Sequence, residues 1–293
     1  MVIQLAVRLR YAVALAGRYP LLAGADLDVA TGEILVLKGA NGAGKTSLLR
    51  VVAGLLPLSA GDATVLGLDP TCDARDLRRQ VGLLGHANGL YDDLTAEENV
   101  RFAARAGRLP KDVVPEALER LGIRDRLLSL PAGRLSAGQR RRVALATMLA
   151  RRPQLWLLDE PHAGLDAEHR ELLDGLLKEV TAAGATVIAA SHEERTSEVL
   201  ADRVVTMSGG TVLDGLLSVR ADGEPAGSDV GDEERAGIEV ANSEPADGER
   251  AKGEQADSEQ ADSEQADSKR AVRQGPPLGD IAGPFPEEVR SAV

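Results

Sequence analysis

The sequence predicts an α/β fold with a mainly parallel sheet over residues 1 to about 215. Short apolar runs alternate with amphipathic stretches along this part of the chain, which is the pattern of strands joined by helices. A glycine-rich segment at residues 39–46 separates an apolar run from a helical stretch, which is typical of a strand–loop–helix unit. After residue 215 the apolar periodicity disappears, so the folded part is expected to end there.

Four apolar runs predict buried strands. They are Glu33–Leu37, Val81–Leu84, Leu155–Leu158 and Thr186–Ala190. A helix is predicted over Lys45–Ala53, directly after the first of these strands.

Between these strands the stretch from Thr95 to Leu149 holds several helical patterns and little strand signal. We therefore expect a helical subdomain over about residues 87–150. Val204–Met207 and Thr211–Leu213 flank Ser208-Gly209-Gly210 and predict a hairpin that closes the domain.

The chain from residue 216 to 293 has a different composition, dominated by Gly, Pro, Ser, Asp and Glu. Residues 254–268 are the pentapeptide Glu-Gln-Ala-Asp-Ser three times over, and a repeat with one Ala per unit cannot bury a face. This acidic, low-complexity tail is interpreted as disordered, with a regulatory or partner-binding tail as the alternative. Of the net charge of −12, −11 belongs to the tail, so the preceding part is nearly neutral and gives no basic footprint for nucleic acid.

Membrane-spanning and disulfide-stabilised classes are not expected. No stretch approaches about 18 uncharged apolar residues, and the N-terminus lacks the pattern of a signal peptide. Cys72 is the only cysteine, so no intrachain disulfide can form, which fits a reducing cytosol.

The segment Gly39-Ala40-Asn41-Gly42-Ala43-Gly44-Lys45-Thr46 satisfies the phosphate-loop pattern. Its glycines allow backbone N–H groups to point at phosphate oxygens, and the helix N-terminus that follows adds partial positive charge. Lys45 is expected to reach the β- and γ-phosphates, and the Thr46 hydroxyl is expected to bind Mg²⁺. The candidate ATP-binding residues of this segment are Gly39, Ala40, Asn41, Gly42, Ala43, Gly44, Lys45, Thr46 and Ser47.

A second motif, Leu155-Trp156-Leu157-Leu158-Asp159-Glu160, delivers two carboxylates to the end of a buried strand, where ligands bind in open α/β sheets. Asp159 is expected to hold Mg²⁺, and Glu160 to act as the general base that polarises the attacking water. His192 follows the next strand, Thr186–Ala190, and can hydrogen-bond the γ-phosphate. Each feature is common by itself, and their combination with the phosphate loop indicates an ATPase site.

The motif Leu135-Ser136-Ala137-Gly138-Gln139 opens a helix that ends shortly before the acidic strand. Ser136 is a good N-cap for that helix, and its hydroxyl together with the Gly138 N–H can form a second anion site.

With this motif, the set resembles the nucleotide-binding domain of ABC transporters over residues 1–215. The elements that carry the resemblance are the phosphate loop Gly39–Thr46, the signature Leu135–Gln139, the acidic strand Leu155–Glu160, the D-loop-like Ala163–Asp166 and the switch His192.

The resemblance implies a P-loop NTPase of ABC type, with a mainly parallel sheet core, an N-terminal antiparallel β part and a helical subdomain. It also implies two ATP-binding domains paired head to tail, in a homodimer, with Ser136, Ala137, Gly138 and Gln139 contacting the partner's ATP and Asp166 in the D-loop. ATP and Mg²⁺ are then the cofactors, and integral membrane transporter subunits are the partners. The protein would lie at the cytoplasmic face of the membrane and bind no nucleic acid.

In that family an aromatic residue upstream of the phosphate loop stacks on adenine. Tyr19 lies 26 residues before Lys45 and is the favoured candidate, with Tyr11 as the competitor.

Two departures from the commonest ABC pattern resemble the CcmA family, the ATP-binding subunits of haem exporters in cytochrome c maturation. Ala137 stands in the middle of the signature, where glycine is usual, and His86 stands where the Q-loop glutamine is usual. His86 can still line the γ-phosphate or Mg²⁺. The stretches that look like motifs of that family are Leu84–His86, Leu94–Asn99 and Leu135–Ala146.

The resemblance implies an ATP-hydrolysing motor subunit for haem export. The alternatives are the ATPase of a drug or lipid exporter and, from another class, a soluble ABC ATPase acting on ribosomes or DNA. Nothing indicates haem ligation by Cys72 or the histidines, since no Cys-x-x-Cys-His motif is present. His162 and His169 are expected at the surface.

Overall fold

The computed structural model describes residues 3–192 and 199–217. The expected acidic tail, apart from residues 216 and 217, lies outside the described residues, as does its expected disorder. The strands are β1 Leu5–Ala16, β2 Tyr19–Ala30, β3 Ile34–Lys38, β4 Ala60–Val65, β5 Val81–Leu84, β6 Leu155–Asp159, β7 Thr186–Ala190, β8 Arg203–Ser208 and β9 Thr211–Leu213. The α-helices are α1 Lys45–Val52, α2 Ala74–Gln80, α3 Ala96–Ala106, α4 Val113–Arg120, α5 Ala137–Arg151 and α6 Ala167–Ala182.

The central sheet has six strands in the order β5-β6-β7-β3-β8-β9. All of its pairings are parallel except that of β8 with β9, which confirms the mainly parallel core and the closing hairpin. β6 and β7 are buried along their whole length, as expected for parallel strands covered on both faces.

A second, antiparallel sheet in the order β2-β1-β4 forms the N-terminal β part. β1 and β2 pair over nearly their full 12 residues, from Leu5 opposite Ala30 to Ala16 opposite Tyr19. The individual strands β1, β2 and β4 were not predicted from the sequence, although the antiparallel part as a whole was. The sequence of β4, Ala-Gly-Asp-Ala-Thr-Val, is largely exposed and carries little strand signal.

The central sheet separates two hydrophobic cores. Alternate residues of β3 face opposite cores: Ile34 and Val36 pack with the helical subdomain, whereas Leu35 and Leu37 pack with α1 and the antiparallel sheet. Each side of the sheet is therefore covered by a different layer.

The helical subdomain lies between β5 and β6 in the chain and contains α3, α4 and α5. Two of these helices begin with capping boxes, in which Thr95 pairs with Glu98 and Ser136 with Gln139. Across residues 3–192 and 199–217, no helix combines the length and the apolarity that a membrane crossing requires.

The carboxyl ends of β3, β6 and β7 lie side by side, because β7 pairs with both β6 and β3. The phosphate loop follows β3, the acidic pair ends β6, and His192 follows β7. The topology thus brings three motifs that are far apart in sequence to one edge of the sheet.

Candidate active site

The phosphate loop is shaped by three glycines with positive φ, two of which also have no room for a side chain. Gly39, Gly42 and Gly44 all have positive φ, at 147°, 81° and 104°. A Cβ on Gly39 would lie 2.3 Å from the carbonyl oxygen of Met207, and one on Gly44 would lie 2.8 Å from that of Leu21. The loop is therefore packed directly against the backbones of β8 and β2.

Lys45 is buried beneath this loop, with 8% of its surface exposed. Its Nζ donates hydrogen bonds to the carbonyl oxygens of Gly39, at 2.7 Å, and of Ala40, at 3.1 Å. The ammonium group is thus held inside the loop at the start of α1, where the helix terminus also favours negative charge. This arrangement suits a polyphosphate.

The Thr46 hydroxyl donates a hydrogen bond of 2.8 Å to Oδ2 of Asp159. Asp159 is 7% exposed and ends β6, while Thr46 lies in the first turn of α1. A hydroxyl and a carboxylate at the phosphate end of a cleft are the hard oxygen ligands that Mg²⁺ prefers. The two residues assigned to Mg²⁺ from the sequence therefore lie together and fit that ion.

Glu160 has a left-handed backbone, with φ of 49°, which is uncommon outside glycine. Its N–H donates to the carbonyl oxygen of Ala190 at 2.9 Å, which ties it to the end of β7. Its side chain Oε1 lies 2.8 Å from Nδ1 of His192. The carboxylate and the imidazole assigned to catalysis are therefore in direct contact.

Lys45, Thr46, Asp159 and Glu160 line a cleft of about 370 Å³, whereas His192 contacts Glu160 without being one of the lining residues. The residues around it are Pro20, Leu21, Asn41, Gly42, Ala43, Gly44, Lys45, Thr46, Ser47, His86, Asp159 and Glu160. His86, placed by the loop after β5, therefore shares the cleft with the acidic pair. None of the signature residues lines it.

The two candidate adenine-stacking tyrosines lie in different surroundings. Tyr19 is 79% exposed and directly precedes Pro20, which lines the cleft. The Tyr11 ring covers Gly24, where an added Cβ would lie 3.1 Å from Cε2. Tyr11 is also held at a bulge of β1 by a hydrogen bond from its N–H to Oδ1 of Asp26. Neither tyrosine lines the cleft itself, and of the two Tyr19 is the one next in sequence to a residue that does.

The signature residues lie at the exposed start of α5. The Ser136 hydroxyl accepts from the Gln139 N–H at 3.3 Å, and the Gln139 side chain accepts from the Ser136 N–H at 2.9 Å. Ser136 and Ala137 are exposed. The N-cap function expected of Ser136 is thus present, and the same side chain remains accessible.

The signature packs against the D-loop segment. An added Cβ on Gly138 would lie 2.5 Å from the carbonyl oxygen of Gly164. Gly164 has φ of 76° and sits in a turn closed by a hydrogen bond of 3.1 Å from the Leu165 N–H to the His162 carbonyl. The start of α5 and the D-loop are therefore in backbone contact.

Asp166 ends the D-loop and caps α6. Its carboxylate accepts from the His169 N–H at 3.0 Å, and His169 Nδ1 lies 2.6 Å from the same oxygen. The hydrogen bond from the His169 backbone, followed by that from its ring, holds the pKa of Asp166 below its ordinary value.

The family to which the chain belongs follows from comparison with known proteins. The sequence model of the ABC transporter family matches residues 22–163. The cytochrome c biogenesis ATP-binding export protein CcmA 2 of Cupriavidus metallidurans is 42% identical over 184 residues, which cover 62% of this chain and 87% of the relative. The corresponding CcmA of Bordetella bronchiseptica is 45% identical over 180 residues, covering 60% and 77%. This chain belongs to the CcmA family of ABC transporter ATPases.

Solved structures agree with this assignment. The dimeric ATP-binding cassette MJ0796, in a post-hydrolysis state bound to ADP and phosphate, matches with a TM-score of 0.66 and 26% identity. The match covers 70% of this chain and 96% of that one. An ATP-binding subunit of an ABC transporter also matches with a TM-score of 0.66, at 28% identity, covering 71% and 88%. The resemblance seen in the sequence to ABC proteins, and to CcmA among them, is confirmed.

One expectation for this CcmA-family chain is wrong. His162, expected at the surface, is buried, and its Nε2 lies 2.7 Å from Oδ1 of Asp174 on α6. The sequence could not show this pairing, because it depends on how α6 packs against the segment that follows β6. The His169 side chain is 20% exposed and Cys72 is exposed.

Sequence reasoning also missed Arg141, the residue of this CcmA-family chain that links the signature helix to the acidic strand. Arg141 is 5% exposed, and its guanidinium donates to the carbonyl oxygens of Asp159, at 2.5 Å, and Glu160, at 2.7 Å. Burial lowers its pKa, while the charges of those two carboxylates oppose this shift. One signal was available: position 141 falls on the same helical face as the buried Leu145 and Met148.

Proposed function

We propose that this protein is the ATP-hydrolysing motor subunit of a membrane transporter that exports haem for cytochrome c biogenesis. The observation that carries the ATPase part is that Lys45, the Thr46–Asp159 pair and Glu160 line one cleft, with His192 in contact with Glu160. The relatives named as cytochrome c biogenesis export proteins support the process, and haem is the cargo that the CcmA resemblance implies.

The residues of the cleft divide the chemistry among them. The phosphate loop and Lys45 bind the phosphates of ATP, and Thr46 and Asp159 would hold Mg²⁺, which neutralises phosphate charge when bound. Glu160 accepts a proton from the attacking water as general base. His192, in contact with Glu160, orients that carboxylate. It would also hydrogen-bond the γ-phosphate of bound ATP.

The functional unit in this proposal is a homodimer in which each ATP lies between two copies. The signature residues Ser136, Ala137, Gly138 and Gln139 are then supplied by the other chain. Two observations support this: the signature does not line the cleft of its own chain, and the cassette MJ0796 bound to ADP and phosphate is dimeric. An isolated chain is therefore expected to be a poor ATPase at low concentration.

The motor would act on integral membrane subunits and lie peripherally on the cytoplasmic face of the membrane. The export-protein relatives support this placement. Nucleic acid is not a proposed partner, because the residues before position 216 are nearly neutral in net charge.

Two substitutions test the ATPase site. Lys45→Ala should abolish turnover and weaken ATP binding. Glu160→Gln should leave ATP binding intact and stabilise an ATP-bound dimer, which light scattering after size-exclusion chromatography detects. Full turnover in Lys45→Ala, or a Glu160→Gln chain that stays monomeric in ATP, would contradict the proposed site.

A genetic experiment tests the cargo. A strain lacking this chain should lose covalently haem-bound c-type cytochromes, measured by haem staining of gels. The wild-type chain should restore them, and Glu160→Gln should not. Normal cytochromes c in the deleted strain, with a defect in drug or lipid efflux instead, would favour the other exporter class.

A further inference from the structure

Arg141 lies one turn into the signature helix, and its guanidinium bridges that helix to two other segments. Besides the carbonyls at the end of β6, it donates to the carbonyl oxygen of Gly85 at 2.7 Å. Weaker contacts reach Asn88 Oδ1 at 3.4 Å and the Pro161 carbonyl at 3.5 Å. Its three shortest hydrogen bonds therefore all go to backbone carbonyls. Arg141 thus restrains the backbone conformation of the segments that it contacts.

The Glu160 backbone is the most consequential of these targets. A left-handed conformation in a residue with a side chain costs free energy and persists only where its surroundings hold it. Three hydrogen bonds do so here: the Glu160 N–H donates to Ala190, and the Glu160 carbonyl accepts from the Ala163 N–H at 3.1 Å and from the Arg141 guanidinium at 2.7 Å. The first bond ties Glu160 to the sheet and the second closes the local turn, whereas the third, the shortest, comes from the signature helix.

The third target is the peptide that leads into His86. Gly85 directly precedes His86, which lines the same cleft as Glu160. A single buried cation therefore links the signature helix to both the acidic pair and the His86 loop. The planar fork of a guanidinium can reach several carbonyls at once, whereas the compact ammonium of a lysine cannot match that geometry.

We propose that Arg141 is a positioning residue for ATP hydrolysis. It holds Glu160 in its left-handed conformation and so aims the carboxylate, and it makes that aim depend on the placement of the signature helix of the same chain. The proposal rests on the proposed role of Glu160 as general base. Arg141 acts through Glu160 and does not itself line the cleft.

The test compares Arg141→Met and Arg141→Lys with a control on the same helix, Arg140→Met. Arg140 binds Asp92 and the Ala132 carbonyl, neither of which lines the cleft. For each variant, ATPase kinetics give kcat, a fluorescent ATP analogue gives Kd, and urea denaturation with circular dichroism verifies folding.

Arg141→Met should lower kcat by about 100-fold, the effect of misplacing a reacting group by about 1 Å, and should leave the Kd within about twofold. Arg141→Lys should recover part of the lost kcat, and Arg140→Met should keep the wild-type kcat. A folded Arg141→Met chain with wild-type kcat, or one whose kcat and ATP affinity fall together, would overturn the proposal.

If Arg141→Met does not fold, Arg141→Lys decides. The lysine keeps a donor for one of the buried carbonyls but cannot reach all three. A fall in kcat of about tenfold at unchanged Kd in Arg141→Lys supports the proposal, and a wild-type kcat overturns it. Glu160→Gln separates this inference from the proposed function. If that variant turns over ATP normally, the general-base assignment fails; if it is inactive while Arg141→Met is fully active, only the positioning role fails.

Discussion

Replacing Gly138 by alanine tests whether the signature and the D-loop move as one unit. The added Cβ would lie 2.5 Å from the Gly164 carbonyl oxygen, and reaching 3.0–3.4 Å requires a shift of roughly 0.5–0.9 Å. The obstructing atom belongs to the backbone, and the turn from His162 to Leu165 restrains it. The start of α5 and the D-loop must therefore separate.

The expected effect on stability is small because two contributions oppose each other. Crowding of a packed contact costs about 1–3 kcal/mol. Alanine stabilises a helical position relative to glycine by about 1 kcal/mol, and Gly138 lies in the first turn of α5. The free energy of unfolding should fall by about 0–2 kcal/mol. Turnover should fall far more, by up to about 100-fold, because a catalytic constellation is displaced by a large part of an ångström.

The matched control is Gly175→Ala in α6. An added Cβ on Gly175 meets nothing within 4 Å, so this variant should be stabilised by about 1 kcal/mol and keep its turnover. Urea denaturation and steady-state ATPase assays measure both quantities. If Gly138→Ala behaves like Gly175→Ala, with higher stability and full turnover, the backbone contact has no functional consequence.

Two further predictions concern single pairs of residues. Removing one partner of the buried His162–Asp174 hydrogen bond, by His162→Ala or Asp174→Ala, should lower the free energy of unfolding by about 1–3 kcal/mol. The double variant should lose much less than the sum in urea denaturation, and additive losses would show that the two side chains are not coupled. Tyr19→Ala should raise the Kd for a fluorescent ATP analogue about two- to tenfold, from the loss of one stacked ring. Tyr11→Ala should leave that Kd unchanged, and equal losses in both variants would refute the choice of Tyr19.

Much of the fold was predictable because its signals are local. β5 and β7 have the predicted bounds, since each is a run of residues that a buried strand requires. The capping box of Ser136 and Gln139 likewise lies within four consecutive residues. No local pattern led to a prediction of α6, and its N-cap residue, Asp166, was interpreted only as part of the D-loop.

The features that could not be predicted join residues far apart in sequence. Arg141 donates hydrogen bonds to carbonyls 18, 19 and 56 residues away. His162 contacts Asp174, which lies 12 residues later on α6. A charged residue that is buried looks, in sequence, the same as one on a solvated face. Only packing distinguishes them, because the cost of burying the charge is offset by partners that the tertiary structure supplies.

The sequence by itself determined the chemistry of this protein. A phosphate loop, an acidic strand end and a signature are each contiguous, so short-range backbone geometry is enough to define them. Only the tertiary structure decided how they act on one another. The order of β6, β7 and β3 brings Glu160 into contact with His192. The packing of α5 places the Arg141 guanidinium against the Glu160 carbonyl. These contacts arise from long-range packing of strands and helices, which no local pattern encodes.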